Sequence, residues 1–380
     1  MQVTFVIHAV TSGGAERVMS ILANAWAAKG WSITLLTFDD GSAPPFYPIN
    51  PQVKHIPLGV LGSSSNLLAA TRHNIKRIRT LRSAIRASQP DIIVSFLDTT
   101  NVLTLLATQQ LGIPVIVNEQ IHPAMWSIGR IWEWLRQWSY PNASQVVAVT
   151  ERALSYFSPQ VQARGCVIPN PALAVESSEQ PLTPYLAKPS LIAMGRLDGQ
   201  KGFDLLLAAF AQLKDRHPEW TLTILGEGAL RAELESLREQ LELSDRVHFL
   251  GVVNNPNDFL KQADIFVMSS RFEGFPNALC EAMACGLAVI SADCPSGPSE
   301  IIRHGVDGLL VPTENVSALA GAMERLMSDT EERNRLASHA PEVTERFSLE
   351  KIIEMWENLL AKVIQKRTNQ YVTKVSLSQG

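Results

Sequence analysis

Short apolar runs alternate with amphipathic stretches along most of the chain. Residues 3–10 form a strand-like run, T-S-G-G-A-E follows, and Val18, Ile21, Leu22, Ala25 and Trp26 then recur at helical spacing until Gly30. Residues 32–38 are the next strand-like run. Strand, glycine turn, helix and strand make a βαβ unit, which implies a parallel sheet. Runs at 91–96, 113–117 and 145–149 continue the series, with helical patterns between them. A stretch rich in Pro, Ser and Ala at 168–189 interrupts it. The alternation then restarts, with strands at 190–194, 221–225, 247–250, 265–268 and 288–291, and a last amphipathic helix at 348–365 in which Trp356 and Leu359 are placed to pack against the first half. The pattern predicts an α/β protein of two doubly wound domains, 1–170 and 190–351, with a linker at 171–189 and a terminal helix of about 352–380 returning to the first. Each domain is expected to bind ligands at the carboxyl ends of its strands.

Composition narrows the class without naming a chemistry. At 380 residues the chain exceeds what one core usually supports, and 46% hydrophobic with 18% charged residues describes an ordinary globular protein. A net charge of -4 argues against a nucleic-acid partner. Cys166, Cys280, Cys285 and Cys294 show no metal-ligand spacing and read as reduced, buried thiols of a cytoplasmic protein. The start, M-Q-V-T-F-V-I-H, lacks a charged leader region and enters a strand directly, and no run of about 18 apolar residues offers a membrane span.

The stretch with most chemistry is R-F-E-G-F-P-N-A-L-C-E-A-M-A-C-G at 271–286. Pro276 suits a first helical position and Gly286 the residue past the end, which puts Glu273 at the helix mouth and Glu281 one turn inside. A helix mouth presents unpaired N–H groups that suit a phosphate, and two carboxylates beside it suit the hydroxyls of a sugar or ribose. Acids also favour helix starts for purely electrostatic reasons. After the first strand of the second half, M-G-R-L-D-G-Q-K-G places Arg196 and Lys201 on one strand-to-helix loop, where two cations can clamp a diphosphate. The next strand ends in L-G-E-G-A-L-R, whose Gly226 and Gly228 permit close backbone approach to a nucleoside, though glycines also end strands for conformational reasons alone.

In this order and spacing, G-R-L-x-x-x-K-G, L-G-E-G-x-L-R and E-G-F-P-N-A-L-C-E-A-M-A-C-G resemble the retaining glycosyltransferases of the GT4 family. The resemblance implies the GT-B fold, two Rossmann-like domains facing a central cleft. It implies that Arg196 and Lys201 bind the diphosphate of a nucleotide-sugar, with Gly13 and Gly14 letting the first loop approach it. Glu273 would hold the donor sugar together with the backbone of Phe275, Pro276, Asn277 and Ala278. Glu281, with Gly226, Gly228 and Arg231, would hold the ribose and nucleoside. Glu119 and His122, in V-N-E-Q-I-H-P-A-M-W, stand where related enzymes place catalytic groups beside the donor sugar, alongside Glu273. An ordinary loop histidine is the alternative for His122. No two aspartates are separated by one residue, so the Asp-x-Asp of metal-dependent transferases is missing, and neither a metal nor another cofactor is expected.

The acceptor side reads from charge. Between Asp40 and Asp91 there is no acidic residue, while Lys54, Arg72, Lys76, Arg77, Arg79, Arg82 and Arg86 fall there. Ile75, Ile78, Leu81 and Ile85 recur at helical spacing among them, giving a basic amphipathic helix whose Arg72, Lys76 and Arg79 suit an anionic membrane surface or a lipid-linked diphosphate. Residues 61–68 could assist at an interface. So could Trp126, Trp132, Trp134 and Trp138, since tryptophan favours the headgroup level, but their helical spacing reads as core. S-F-L-D-T-T-N, with Asp98, and C-P-S-G-P-S-E-I-I, with Glu300, resemble the GT4 subset that extends undecaprenyl-diphosphate glycans with N-acetylgalactosamine or galactose. The expectation is a peripheral enzyme on the cytoplasmic face of the inner membrane, passing sugar from a uridine diphosphate donor to a lipid-linked saccharide. A soluble acceptor and a catalytically silent sugar-nucleotide-binding protein are the alternatives. A nicotinamide dehydrogenase is disfavoured, because the first turn lacks G-x-G-x-x-G.

Overall fold

The computed structural model describes residues 1–62, 66–174 and 186–378. Most of the stretch read as a linker, and the centre of 61–68, lie outside the described residues. The chain divides into two compact units, Met1–Pro169 with Glu350–Gly380, and Asn170–Leu349.

The first unit is built on β1 (Gln2–Ile7), β2 (Ser32–Thr37), β3 (Lys54–Pro57), β4 (Ile92–Phe96), β5 (Val115–Glu119), β6 (Gln145–Ala148) and β7 (Gly165–Val167). They form one sheet in the order β3-β2-β1-β4-β5-β6-β7, parallel throughout. Every residue of β4 and β5 is buried, as a parallel sheet covered by helices on both faces requires. On one face the helices Leu67–Ser88, Asp98–Thr108 and Arg130–Ser139 lie side by side, and the middle one is buried along most of its length. The terminal helix Leu349–Ser378 belongs, from Glu350, to this unit. Its buried Trp356 meets Trp26 edge-on at 6.5 Å, Trp26 stacks on Phe5 of β1 at 5.5 Å, and Lys29 pairs with Glu357 at 2.5 Å.

The second unit repeats the plan with β8 (Ser190–Met194), β9 (Thr221–Leu225), β10 (Val247–Gly251), β11 (Ile265–Met268), β12 (Ala288–Asp293) and β13 (Leu309–Pro312), ordered β10-β9-β8-β11-β12-β13 and again all parallel. In each unit the strand order reverses at the first strand, between β1 and β4 and between β8 and β11. Such a reversal opens a crevice at the carboxyl ends of the two strands. Three strands escape the hydrophobic pattern: β3, β7 and β13 are edge strands of three or four residues, too short to show a period.

Candidate functional site

At the second reversal the loops after β8 and β11 are stitched together by main-chain and side-chain bonds. Arg271 N–H donates to Gln200 O at 2.8 Å, Gln200 Nε2 to Phe272 O at 3.0 Å, and Ser269 Oγ to Lys201 O at 2.9 Å. Gly202 takes a left-handed φ of 63°, and a Cβ there would lie 2.3 Å from Ser269 O, so only glycine lets the two loops meet. Arg271 anchors the pair from outside, forking onto both oxygens of Asp204 at 2.8 and 2.6 Å, and that bond holds the Asp204 carboxyl below its usual range. Inside this frame Lys201 Nζ donates to Glu273 Oε1 at 2.6 Å, and Ser270 Oγ donates to the same oxygen at 2.7 Å. Glu273 is 5% exposed. The stem of Lys201 runs over Gly195, where a Cβ would crowd three of its carbons at 3.0 Å. Arg196, on the same loop, is largely exposed and pairs with Asp198 at 3.2 Å.

The helix after β11 spans Asn277–Ala284, with Pro276 at its N-cap rather than at its first position. Leu279 and Cys280 both donate to Pro276 O, so the N–H groups of Asn277 and Ala278 stand at the open end of the helix beside Glu273. Pro276 has no N–H to offer. Gly286 follows the helix at φ 77°, the left-handed turn expected of it. Glu281 is half-buried on this helix. The loop after β12 closes behind: Ser296 Oγ donates to Gly274 O at 3.2 Å, and Phe275 is buried edge-on against Phe347 at 5.3 Å.

At the first reversal the polar groups are arranged differently. Glu119, the last residue of β5, is 1% exposed and accepts a hydrogen bond from the Tyr140 hydroxyl. Burial pushes its carboxyl up to about 7, against the opposing pull of Arg136 and the Tyr140 hydroxyl. Asn101 Nδ2 donates to Tyr140 Oη at 3.1 Å and to Asn118 O at 3.0 Å, closing the cage. Between β4 and its helix, Leu97 takes φ 73°, a conformation costing about 1–3 kcal/mol for such a side chain. It delivers Asp98 to the start of the helix Asp98–Thr108. His122 lies in the loop after β5, where its Nδ1 accepts from Ala124 N–H at 3.3 Å. Burial lowers its proton affinity, against the opposing pull of the Arg152 backbone.

The pattern of the chain is that of a known family. A model described as "Glycosyl transferase 4-like domain" matches residues 13–171, and one described as "Glycosyl transferases group 1" matches residues 175–343. Over 365 residues the chain is 31% identical to the GalNAc-alpha-(1->4)-GalNAc-alpha-(1->3)-diNAcBac-PP-undecaprenol alpha-1,4-N-acetyl-D-galactosaminyltransferase of Campylobacter jejuni, covering 96% of this chain and 99% of that one. The chain is a glycosyltransferase of the GT4 family. Sucrose-phosphate synthase from Thermosynechococcus elongatus superposes with a TM-score of 0.81 at 21% identity, over 96% of this chain and 99% of that one. HepE of Anabaena in complex with UDP gives 0.75 at 21% identity, over 95% and 100%. At that identity both show the shared GT-B fold.

In this glycosyltransferase the structure gathers Arg196, Lys201, Glu273 and the helix start at one switch point, and gives several other candidates work within the fold. A Cβ on Gly226 would lie 1.9 Å from Gly195 O, and one on Gly228 2.4 Å from Leu197 O, so the backbone that these glycines admit is the Arg196 loop. Arg231 bonds Glu227 and Glu235 at 2.6 Å each and Phe249 O at 3.2 Å, and lies over the Phe249 ring. These bonds make it a clamp between the β9 loop and β10. Gly13 is the N-cap of the helix Gly14–Ala28, and a Cβ there would lie 2.0 Å from Glu16 Oε2, so a carboxylate folds over the mouth of that helix. Glu119 is enclosed by its own unit, so it cannot touch a sugar in this conformation. Of the basic helix, Arg72, Lys76 and Arg79 are exposed, and with Ile75 and Thr80 they line a groove of about 420 Å³. Arg77 and Arg82 are instead spent on carbonyls: Arg77 on Val60 and Gly62, Arg82 on Ala107 and Gln109.

One polar group was not legible in the chain. His8, just past β1, lies in the field of Arg77, Asp39 and Asp98, and partial desolvation of its ring, then Arg77, lowers its proton affinity. Asp39 accepts from Thr37 Oγ1 at 2.9 Å, and Thr37 meets His55 Nε2 at 2.9 Å. These residues come from the ends of three strands, and positions so far apart make no motif.

Proposed function

We propose that this GT4 enzyme is a retaining, metal-independent transferase that moves a hexose, N-acetylgalactosamine or galactose in the first instance, from a uridine diphosphate donor to a lipid-linked saccharide of bacterial surface glycan synthesis. The observation carrying the donor half is the Lys201–Glu273 pair, buried at the switch point beside an open helix start. A diphosphate entering there meets the Lys201 ammonium, the exposed Arg196 guanidinium and the N–H groups of Asn277 and Ala278. Those groups are fixed before reaction, so they stabilise the leaving diphosphate as charge develops on it. Lys201 turns toward the phosphate, and Glu273, still held by Ser270, accepts hydroxyls of the sugar. Glu281, one turn inside the helix, takes the ribose. Charge on the diphosphate is met by these side chains and backbone groups, with no ion in the scheme.

The acceptor proton passes to the departing diphosphate on the same sugar face, because the two candidate bases of the first unit are engaged within it: Glu119 by Tyr140, and His122 at Nδ1 by the Ala124 N–H. The C. jejuni relative, whose name gives an undecaprenol-diphosphate glycan as substrate, supports a lipid-linked acceptor. Arg72, Lys76 and Arg79 would meet the lipid diphosphate or the anionic surface around it. Among the described residues no helix is long and apolar enough to cross a membrane, and peripheral attachment at the cytoplasmic face fits that acceptor.

The test is a panel of nucleotide-sugars offered with a polyprenyl-diphosphate saccharide, with product mass and anomeric configuration read out. One added hexose in α linkage from a UDP-sugar, with turnover unchanged in EDTA, is the expected result. An inverted linkage, or activity that EDTA removes and a divalent ion restores, would overturn the mechanism.

A further inference from the structure

The helix Arg130–Ser139 was expected to bury its tryptophans, and only Trp132 packs against the core. Ile131, Trp134 and Trp138 are 63%, 62% and 49% exposed, and Trp126, in the preceding loop, is 42% exposed. Residues 131, 134 and 138 fall on one helix face, and the Trp134 and Trp138 rings stack with centroids 6.4 Å apart. Met125 adds a further exposed apolar side chain beside Trp126. Contiguous exposed apolar surface of this kind marks an interaction site.

The surrounding charge says what covers it. Between Asp40 and Glu151 the chain holds only four acids, Asp91, Asp98, Glu119 and Glu133. Glu119 is buried. Glu133, the one acid on the tryptophan helix, is drawn inward: it pairs with the buried Arg136, and its Oε1 accepts from Tyr156 Oη at 2.9 Å. Arg130 at the helix start is exposed. The basic helix Leu67–Ser88 lies on the far side of the buried helix Asp98–Thr108, in the same layer, and adds exposed Arg72, Lys76, Arg79 and Arg86 with exposed Leu68 and Ile75. A protein partner that matched this layer would need a complementary apolar patch ringed by acids. A bilayer of anionic lipid presents that chemistry everywhere, and tryptophan favours its headgroup level.

We propose that Trp126, Ile131, Trp134 and Trp138 form an interfacial anchor that enters the headgroup region of an anionic bilayer, with the basic helix supplying the electrostatic half of the attachment. The inference rests on the membrane-surface reading above and adds a hydrophobic insertion to it. Attachment then has two signals, so it survives salt that screens the cations alone.

The test uses the full chain with vesicles of phosphatidylethanolamine containing phosphatidylglycerol, and with phosphatidylcholine vesicles as the neutral control. Wild type should float with the anionic vesicles, its tryptophan emission should move to the blue, and lipids brominated on the acyl chain should quench it. Trp134→Ser/Trp138→Ser, altered only at exposed positions, should keep the wild-type melting temperature and lose on the order of tenfold in vesicle affinity. Equal vesicle binding by this variant, or bound protein that brominated lipid does not quench, overturns the anchor. Self-association of wild type that the same variant abolishes, measured by light scattering without lipid, overturns it in favour of a second copy as the occupant. Transfer to a water-soluble, short-chain diphosphate saccharide is measured in parallel and should be unchanged in the variant. If transfer fails there for wild type while the vesicle results hold, the functional reading falls and the anchor stands; the reverse pattern sinks the anchor alone.

Discussion

The two units run the same strand order to the same kind of reversal, and they spend it differently. At β8 and β11 the strand ends carry ionised partners, Lys201 with Glu273 and Arg271 with Asp204, in loops laced together by main chain. Beside β1 and β4, the carboxylate that ends β5 is sealed: Glu119 lies under Tyr140, and Leu97 is held at a positive φ of 73°. A charged ligand can replace Glu273 as the partner of Lys201, because the carboxylate keeps Ser270 as a second donor. Nothing comparable can reach Glu119 without opening the cage. The fold thus supplies two similar edges, and they differ in the partners of their carboxylates: Glu273 meets both Lys201 and Ser270, while Glu119 lies under Tyr140.

The sharpest way to break that contrast is to remove the exchangeable cation. Lys201→Gln should lower kcat/KM by on the order of 10²–10³, the size of losing one preorganised donor to a developing anion. Glu273 then keeps Ser270 as its donor, and the loss should appear mainly in kcat, with a cooperative melt retained. Turnover within about threefold of wild type would remove Lys201 from the diphosphate, since one preorganised donor is worth far more than that.

The second prediction concerns the sealed edge. Glu119 has its carboxyl raised to about 7 in the fold, from an ordinary 4.5. Below the ordinary value both folded and unfolded chains are protonated, and the group favours neither. Between the two values the unfolded chain ionises while the folded one does not, so stability falls as pH rises; above about 7 both are ionised and the loss levels off. The full loss is roughly 3 kcal/mol at most. Glu119→Gln, whose carbonyl can still accept from Tyr140, should flatten that slope and raise the urea midpoint at pH 8 relative to wild type. Parallel pH profiles for the two proteins would show that Glu119 ionises freely, and the two edges would then be alike.

How far the chain disclosed this contrast depends on which signals are local. The strands of both sheets, the glycine at 286 and the pairing of cationic loop with carboxylate helix were legible, because apolar period and turn chemistry act over a few residues. The edge strands β3, β7 and β13 were not, since three or four residues carry no period. Long-range partners were also hidden. Arg231 read as a ligand residue because its motif resembles a family's, and only the fold reveals Glu227, Glu235 and Phe249 around it. Trp134 and Trp138 read as core because helical spacing says which residues share a face, and not which way that face points. The Lys201–Glu273 pairing was legible because it is built from contiguous loops; the Glu119 cage was not, because Glu119, Tyr140, Asn101 and Arg136 meet only in space.

Arg231 gives a smaller test of the same division. If it is a clamp, Arg231→Ala should cost about 1–2 kcal/mol through the two ion-paired hydrogen bonds it loses. Donor affinity, measured by titrating UDP calorimetrically, should stay within about threefold, far less than loss of a direct charged contact would cost. A tenfold weaker Kd with unchanged melting would return Arg231 to the nucleoside and move the donor edge outward to include it.

The smallest effect is expected at His122. A histidine serving as general base would be worth on the order of 10²–10⁴ in rate. Here Nδ1 accepts from Ala124 N–H and burial lowers the proton affinity of the ring, so its work is to shape the loop after β5. Asparagine places a carbonyl oxygen close to the position of Nδ1 and keeps that bond. His122→Asn should therefore transfer sugar within about threefold of wild type, against the far larger loss of a missing base. It should also leave the acidic limb of the kcat/KM profile where it was. A loss of a hundredfold or more, with that limb abolished, would show that the first unit does contribute a base, and that its polar edge opens when the acceptor arrives.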